Sequence, residues 1–333
     1  RVDRDRLVAD RAATRQERDR LAARIADLDL AAGGGAAPFP VPVYGLAVEP
    51  KRHGDEQRAW EILGKLAAED PCLRIEHVAA TNETVLYGLG ELHLRIVLER
   101  LREVYRFDVQ TRPPRIAYRE TVTAPAEGHY RHKKQSGGAG QFAEVFLRIE
   151  PLARGAGFEF ADEVRGGAIP GQFIPAVEKG VREVLAQGAI AGFPVADVRV
   201  VVYDGKHHSV DSKDIAFATA GRKAFMAAIR EARPVVLEPI VQIEIAVPEH
   251  SVGDVTSDLS LRRGLVTGTS GLGSGTVAIG AQVPEAELAD YQSRLNAMTS
   301  GQGRYTIALS HYEAVPPAVQ QTLMGQYRVS EDD

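Results

Sequence analysis

The order of apolar and polar positions predicts the same succession of strands and helices twice along the chain. Between residues 40 and 112 the pattern predicts strand, helix, strand, strand, helix and strand, with helices at about 55–69 and 91–105. The predicted apolar face of the first helix carries Trp60, Leu63 and Ala67, and that of the second carries Leu94, Val97, Leu98, Leu101 and Tyr105. The same order recurs between residues 239 and 310. Both regions therefore match the ferredoxin-like βαββαβ unit.

In the second region, two helices are predicted to pack on the sheet. One begins at a capping Ser251 and carries Val255, Leu259 and Leu261 on its apolar face, and the other runs from Glu285 to Met298.

The segment between the two regions, about 115–235, follows a different pattern. Strands are predicted at Arg115–Thr123 and Ala143–Ile149, and a third strand carries the alternating residues Val198, Val200 and Val202. One helix opens at Pro175, and a longer helix, capped by Ser212, runs to about Glu231. The predicted fold class is α+β, with two ferredoxin-like domains flanking an α+β domain of another kind.

Residues 1–38 differ in composition from the rest of the chain. The first 30 contain eight arginines and seven acidic residues, with Leu21, Ile25 and Leu28 at helical spacing, which predicts one amphipathic helix with a solvated charged face. The alanine- and glycine-rich run that ends at Pro38 predicts a linker. We therefore expect a domain boundary near residue 38, and the origin of the preceding residues stays open.

Composition narrows the class of protein. The 333 residues are 44% hydrophobic and 26% charged, which fits two or three globular domains. A single cysteine, Cys72, excludes an internal disulfide and a multi-cysteine zinc site. No apolar run approaches a bilayer span and no signal peptide opens the chain, so we expect a cytoplasmic protein. The net charge of -5 disfavours a protein that coats nucleic acid but permits a local basic patch.

The glycine clusters do not match nucleotide-binding loops. The chain contains neither a P-loop motif nor an Asn-Lys-x-Asp guanine-reading motif, so we expect no GTP site in it. The Gly88-Leu89-Gly90 run is predicted to be a tight turn from strand to helix, because His93 occupies the third glycine position of a dinucleotide fingerprint. The run Gly271–Gly275 is predicted to close a hairpin.

Histidines cluster in two places but lack the spacing of metal ligands. His129 and His132 are three residues apart, and His207 and His208 are adjacent, with no carboxylate or cysteine at a ligand interval. Ser209, His208 and Asp211 could be written as a catalytic triad, although all three fall in one loop without a nucleophile elbow. A helix-capping role for Asp211 and Ser212 is the favoured interpretation.

Two short basic segments remain as candidates for chemistry. Residues 129–141 combine histidines, Arg131, Lys133 and Lys134 with a glycine-rich bend, and residues 204–209 place Lys206 and two histidines before a helix. Lysines neutralise phosphates and glycines allow a ligand to approach the backbone. If both segments lie at the same end of the middle domain, they form one positive tip; the alternative is two independent solvated loops.

Several motifs together identify a family resemblance. From Phe39 onward the chain resembles domains III, IV and V of bacterial translation elongation factor G. The motifs that carry the resemblance are Leu66–Pro71, Gly88–Leu94, Tyr118–Thr121, Lys134–Gly138, Ile169–Gly171, His208–Ser212, Leu237–Ile240 and Arg262–Gly264. Two departures stand out: Arg131–Ser136 looks more like the factor-G-like paralogues, and Leu261 stands where the family commonly has another arginine.

The resemblance implies a domain organisation. It implies a ferredoxin-like domain III at 39–113, a ribosomal-protein-S5-like α+β domain IV at 114–235 and a ferredoxin-like domain V at 236–328, after the helix and linker of 1–38 and before a tail at 329–333. The GTPase domain and the β-barrel of the family are expected to lie outside this chain. We therefore expect no enzyme activity here, and a ribosome-stimulated GTPase in the parent factor.

The resemblance also implies a function and a set of site residues. In the family, the tip of domain IV enters the decoding region of the small subunit and helps to move tRNA and mRNA, with His208 at the position of the tip histidine. The implied ribosome- and RNA-binding residues are Lys133, Lys134, Gln135, Ser136, Gly137, Gly138, Gln141, Lys206, His207, His208, Ser209, Arg262 and Arg263. No catalytic residue and no metal ligand is implied.

The implied partners are both ribosomal subunits with their RNA, the stalk proteins, and tRNA and mRNA at the decoding site. The chain itself is expected to need no cofactor and to be a monomer that does not contact membranes, whereas GTP and Mg²⁺ belong to the GTPase domain. Three alternatives stay open: a ribosome-protection or recycling paralogue, a hydrolase that uses the His207/His208 loop, and an interaction module without ribosome binding.

Overall fold

The structure is a computed structural model that describes residues 39–52, 54–134 and 140–327. The helix and linker predicted for residues 1–38 and the predicted tail lie outside the described residues. The described chain divides after Pro114 into two compact units, which are treated separately below. No helix within the described ranges is long and apolar enough to cross a membrane.

The first unit is a four-stranded antiparallel sheet with two helices. Its elements in chain order are β1 (Tyr44–Pro50), α1 (Glu56–Glu69), β2 (Arg74–Val78), β3 (Glu83–Gly88), α2 (Glu91–Glu103) and β4 (Val109–Arg112). The strands lie in the order β2-β3-β1-β4. This is the βαββαβ order that the hydrophobic pattern predicts, with element ends shifted by at most two residues.

Helix α1 buries a face rotated from the predicted one. Ile62, Leu63 and Leu66 are buried against the sheet, whereas Trp60 is 46% exposed. The prediction for Trp60 was wrong because Ala59, Leu63 and Leu66 fall on one side of the helix and Trp60 lies next to that stripe. In α2, Leu94, Val97 and Leu101 are buried as predicted.

The turn between β3 and α2 is held by a histidine. The N–H of Leu89 donates to Nδ1 of His93 (3.1 Å), and Nε2 of His93 donates to Asp70 (2.9 Å). The other oxygen of Asp70 accepts the N–H of Cys72. A side chain at Gly88 would contact Leu94 and His93, so the glycine permits the close approach of strand and helix. The tight-turn interpretation is confirmed.

The second unit begins with a four-stranded sheet covered on one face by two helices. A short strand, β5 (Arg119–Val122), comes first in this unit. The sheet and its helices follow in chain order as β6 (Ala126–Lys134), β7 (Gln141–Pro151), β8 (Phe158–Asp162), α3 (Ile174–Gln187), β9 (Val198–Lys206) and α4 (Asp214–Glu231). The order is β6-β7-β9-β8, with β8 parallel to β9 and the other pairs antiparallel. Strands β6 and β8 were not predicted, and residues 129–134, which were expected in a loop, belong to β6.

Alternation along the strands of this sheet divides it into a core face and an open face. Val145, Leu147 and Ile149 of β7 point into the core with α3 and α4. The two helices cross closely, because a side chain at Gly180 would overlap the carbonyl of Ala218. The intervening residues of β7 therefore lie on the face that the helices leave uncovered.

The rest of the second unit repeats the ferredoxin-like order. Its elements are β10 (Pro234–Pro248), α5 (Val252–Leu261), β11 (Leu265–Gly273), β12 (Thr276–Pro284), α6 (Tyr291–Thr299), β13 (Arg304–Ala314) and α7 (Pro317–Gln326). The strand order β11-β12-β10-β13 matches that of the first unit, and the predicted hairpin near Gly271–Gly275 is confirmed.

Three details of this region differ from the predictions. The helix predicted from Glu285 is divided into a short 3-10 turn at Glu285–Leu288 and α6, because residues 289–290 form a turn in which Asp290, with φ -108° and ψ 7°, leaves the helical conformation. Leu261 is 82% exposed and does not belong to the buried face of α5. Ser251 precedes α5 without a side-chain cap, and its hydroxyl donates instead to the carbonyl of Met298.

Strand β5 joins the C-terminal sheet, although the sequence pattern assigned it to the middle domain. Residues 119–122 pair with residues 234–237 at the start of β10. Strand β10 therefore runs without interruption through the boundary expected near residue 235. Helix α7, which was not predicted, packs Val319 and Leu323 against the same junction together with Ala191, Val236 and Val315.

Candidate functional site

The two basic segments lie at the same end of the middle sheet. Strands β6 and β7 form a hairpin, and Lys134 and Gln141 are the last pair of residues before the connection between the two strands. Strand β9 ends beside it, with Lys206 opposite Glu144, and the loop 207–213 leads into α4. We call the hairpin end and this loop together the tip.

Backbone and side-chain hydrogen bonds tie the two segments of the tip together. The N–H of Phe142 donates to the carbonyl of Asp211 (2.9 Å), and the hydroxyl of Ser212 donates to the carbonyl of Phe142 (2.9 Å). A side chain at Gly140 would lie 2.8 Å from the carboxyl carbon of Asp211, so glycine allows the two segments to touch. The tip is therefore one connected structure rather than two independent loops.

Ser212 links the loop to the hairpin instead of capping α4. Its Oγ accepts the N–H of His208 (2.8 Å) while donating to Phe142, and the cap position of α4 is taken by Lys213 without a side-chain cap. The capping role predicted for Asp211 and Ser212 was wrong. The reason is that the neighbouring strand offers the serine a partner that the sequence pattern does not show.

His208 has a fixed ring orientation at the surface. Its side chain is 54% exposed, and Nδ1 accepts the N–H groups of Val210 (3.3 Å) and Asp211 (3.2 Å). Because Nδ1 accepts these bonds, the proton of the neutral ring is on Nε2, and the approach of Asp211 Oδ2 to Nδ1 at 3.5 Å is not a hydrogen bond. The ring also meets the edge of Phe142, with centroids 6.3 Å apart. Among the described residues Nε2 has no hydrogen-bond partner, so this arrangement offers its proton to an external acceptor.

The remaining predicted tip residues fall into three groups. Lys133, Lys134, Lys206 and Ser209 are exposed, and the amine of Lys206 lies 3.8 Å from Glu144. His207 donates from Nδ1 to the carbonyl of Ala168, and Gln141 accepts a hydrogen bond from His132. Gln135, Ser136, Gly137 and Gly138 lie outside the described residues.

Neither a metal centre nor a triad is assembled among the described residues. No group of three or more histidine, cysteine or acidic side chains could hold a metal ion in that part of the chain. No described hydrogen bond joins Ser209 to His208, whose Nδ1 is occupied by backbone N–H groups. The loop is exposed, which is unlike the enclosed pocket that a hydrolase needs.

Arg262 and Arg263 have partners within their own domain. Arg262 donates to Asp258 (2.8 Å) and to Asp290 (2.7 Å), and its hydrogen bond to Asp290 raises its pKa and lowers the pKa of that carboxyl. Arg263 donates to both oxygens of Glu238, which raises the pKa of the guanidinium. These contacts give both residues a structural role, and their contact with RNA stays a prediction.

Sequence reasoning missed Glu120 as a structural centre. Its side chain is 1% exposed, and its carboxylate accepts four backbone N–H groups, those of Ala189, Ile190, Ala191 and Phe193, at 2.6–3.0 Å. No local pattern distinguishes such a glutamate, because the four donors lie far away along the chain.

Comparison with known proteins gives the family. Elongation Factor G domain III matches residues 39–113, Elongation factor G domain IV matches residues 114–233, and the Elongation factor G C-terminus matches residues 235–323. The predicted fold class, with its domain III, IV and V architecture, is confirmed.

Relatives agree with these matches. An elongation factor G-like protein of Thermotoga maritima is 44% identical over 290 residues, which are 87% of this chain and 42% of that protein. Elongation factor G of Aquifex pyrophilus is 44% identical over 289 residues, which are 86% of this chain and 41% of that protein. The chain thus spans about two fifths of the length of these relatives.

A solved structure agrees as well. A crystal structure from Thermus thermophilus superimposes with a TM-score of 0.72 at 41% identity, covering 87% of this chain and 43% of that one. Sequence motifs, architecture and relatives thus lead to one conclusion: the chain belongs to the elongation factor G family and comprises its domains III, IV and V.

Proposed function

We propose that this chain is the ribosome-engaging part of an elongation factor G-like GTPase, and that its tip enters the decoding region to promote movement of tRNA and mRNA. The observation that supports the proposal is the joined tip, in which a hairpin with Lys133 and Lys134 is tied by hydrogen bonds to the loop with His208 that follows Lys206 at the end of β9. An exposed, basic surface that is held together by hydrogen bonds suits contact with RNA better than catalysis on a small molecule.

The electrostatics of the tip fit an RNA partner. Among the described residues no carboxylate pairs with Lys133 or Lys134, and both side chains are exposed. Phosphate contacts by such lysines add affinity that falls as salt rises. The net charge of the whole chain is -5, which disfavours nonspecific binding of RNA to the rest of the surface.

The first experiment measures association of the chain with ribosomes across a salt series. Co-sedimentation of Lys133→Ala/Lys134→Ala should show a salt slope smaller in magnitude by roughly 0.7–0.9 for each phosphate that the variant no longer neutralises. The matched control is Arg154→Ala, which removes an exposed cation after β7, at the far end of the same strand from the tip. Equal slopes for the native chain and the double variant would contradict the proposal.

The second experiment places the chain in a factor that carries the GTPase domain. Replacing His208 with alanine should slow tRNA movement and spare ribosome-stimulated GTP hydrolysis, since the tip contributes no group to the nucleotide. The thermal midpoint should stay nearly unchanged, because exposed substitutions usually cost within about 0.5 kcal/mol. Normal movement with a stable fold would favour a recycling or protection factor instead.

The nucleotide is assigned to the parent factor, with Mg²⁺, and not to this chain. Calorimetric titration of the chain with GTP and Mg²⁺ should give no heat of binding, in keeping with the missing P-loop and guanine-reading motifs. Micromolar affinity would contradict this assignment.

A further inference from the structure

The open face of the middle sheet carries planar side chains next to cations. Helices α3 and α4 cover the opposite face, and alternation along the strands places His129, Arg131 and Lys133 of β6 on this one. Phe142, Glu144 and Phe146 of β7 share the face, as does Lys206 of β9 opposite Glu144. Together these seven residues form a surface that we call the platform.

Two planar groups on the platform are each backed by an aromatic ring. The imidazole of His129 stacks on Phe146, with centroids 4.0 Å apart and planes 16° apart. The guanidinium of Arg131 lies over Phe142, 5.3 Å from the ring centroid. His129 and Arg131 are two residues apart on one strand, so their Cα atoms are about 7 Å apart. Their outer faces therefore offer two neighbouring flat surfaces at a fixed spacing.

Charge divides the open face into two halves. Towards the tip, no carboxylate pairs with Arg131 or Lys133 among the described residues. Away from the tip, Arg148 pairs with Glu150 and Glu163, and Arg199 lies near Glu150. The same half also holds two carboxylates: Glu144, which lies near His129 and Lys206, and the exposed Asp204 of β9, which faces Phe146. The cations beside the planar groups that are available to an anion are therefore Arg131 and Lys133.

A buried acceptor completes the platform. The side chain of Glu144 is 8% exposed, and its Oε1 accepts a hydrogen bond from Nε2 of His129 (2.9 Å). Its Oε2 is buried and has no hydrogen-bond partner among the described residues, and Nζ of Lys206 lies 3.8 Å from it. Because this oxygen is buried, the carboxylate acts on the platform through Oε1, which holds the imidazole of His129 in its orientation against Phe146.

We propose that the platform binds single-stranded RNA. Two successive bases stack on His129 and Arg131, Lys133 and Lys206 neutralise the adjoining phosphates, and Glu144 holds the ring of His129 in place. Unpaired bases use aromatic rings, histidine and arginine planes in this way on open sheets. A duplex keeps its bases stacked on each other and cannot place them on these planes.

The proposal goes beyond the ribosome-binding role of the tip. The platform shares Lys133 and Lys206 with the tip, but its planar groups, His129 and Arg131, lie on the sheet face and not in the connecting loops. Binding there requires neither the ribosome nor the GTPase domain. The two proposals can therefore be tested separately. Single-stranded RNA can fail to bind the platform while ribosome association still depends on Lys133 and Lys134, or RNA can bind the platform while ribosome association does not depend on these lysines.

The experiment measures fluorescence anisotropy of a labelled, unstructured twelve-nucleotide RNA and of a twelve-base-pair RNA duplex with the native chain. We expect the single strand to bind more tightly than the duplex. The variant His129→Ala/Arg131→Ala should lose about tenfold or more of its affinity for the single strand. Arg131→Lys keeps the charge but loses the planar group, so its affinity for the single strand should fall several-fold.

The matched control is Arg148→Ala, which removes a cation from the same face in its ion-paired half. We expect this variant to bind the single strand like the native chain. Equal weakening in Arg148→Ala, native affinity in Arg131→Lys, or equal affinity for the duplex would overturn the proposal. Circular dichroism checks folding, and if the double variant does not fold, Arg131→Lys provides the test.

Discussion

The two terminal nitrogens of Arg263 donate hydrogen bonds to the two carboxylate oxygens of Glu238, at 2.6 and 2.9 Å. The carboxylate is 3% exposed, and the same guanidinium also donates to Glu287. Arg263 follows α5 with a φ of 59°, in the left-handed region, so the backbone turns there to direct the side chain onto β10. The pair thus fixes the end of a helix to the longest strand of the C-terminal sheet.

The first prediction concerns this pair. Arg263→Ala leaves the carboxylate of Glu238 buried without its cation, so we expect a loss of about 3 kcal/mol in the free energy of unfolding. Urea denaturation measures the loss. Arg304→Ala, at an exposed arginine of the same domain, should change stability by no more than about 0.5 kcal/mol. Equal stability of the two variants would show that the pair is not structural.

The second prediction concerns the carboxylate that holds residues 189–193. Glu120→Gln replaces one accepting oxygen by an NH₂ group that faces backbone donors. Because two buried N–H groups are then left without an acceptor, the free energy of unfolding should fall by about 2–4 kcal/mol. Chemical denaturation checks this, with Glu159→Gln at an exposed carboxylate as the control. A fully stable Glu120→Gln protein would mean that the loop does not depend on the charge.

The third prediction is a stabilising substitution. The ring of Tyr291 is fully buried and its hydroxyl has no hydrogen-bond partner among the described residues. Tyr291→Phe removes a buried polar group and keeps the ring that meets Tyr305 edge-on, so we expect the free energy of unfolding to rise by ~1 kcal/mol. A destabilised variant would reveal a partner for the hydroxyl.

The fourth prediction is a pH dependence. Burial raises the pKa of the Tyr305 hydroxyl to about 12, whereas an exposed tyrosine ionises near pH 10. The folded state keeps a proton that the unfolded state loses, so this contribution to stability is complete below pH 10 and is lost as the pH rises from 10 to 12. Urea denaturation at a series of pH values should show the decline, and Tyr305→Phe should make it shallower. An unchanged slope in that variant would contradict the assignment.

The fifth prediction concerns the tie within the tip. Ser212→Ala removes both the acceptor for the N–H of His208 and the donor to Phe142. Amide hydrogen exchange at His208 should become faster, while global stability falls by about 1 kcal/mol. Ser209→Ala, in the same loop, should leave both unchanged. If Ser212→Ala keeps the native exchange rate, the two segments are held by the backbone alone.

Local pattern predicted much of this fold because most of its elements are amphipathic. The stripe of Leu94, Val97 and Leu101 and the alternation of Val198, Val200 and Val202 both follow directly from burial on one side. Strand β5 shows where such reasoning stops. Its residues fit a strand in either sheet, and its partner at 234–237 is distant in sequence, so hydrophobic pattern cannot choose between the two.

The candidate site was predictable to a similar extent. Composition identified two basic segments, one with Lys133 and Lys134 and one with Lys206, and the structure brings both to the same end of the middle sheet. The stack of His129 on Phe146 was not predictable, because it depends on which residues face each other across β6 and β7. The partners of Arg262 and Arg263 depend on tertiary contacts in the same way.

The passage of β10 through the expected boundary has a consequence for how the protein is made. During synthesis β5 is made long before residues 234–237. The edge of β5 that pairs with these residues therefore stays unpaired until the start of β10 has been synthesised. A fragment that ends near residue 235 would retain this exposed edge, and exposed edges pair with other chains. The middle and C-terminal regions therefore depend on each other during biosynthesis, and dissecting them should yield fragments prone to aggregation.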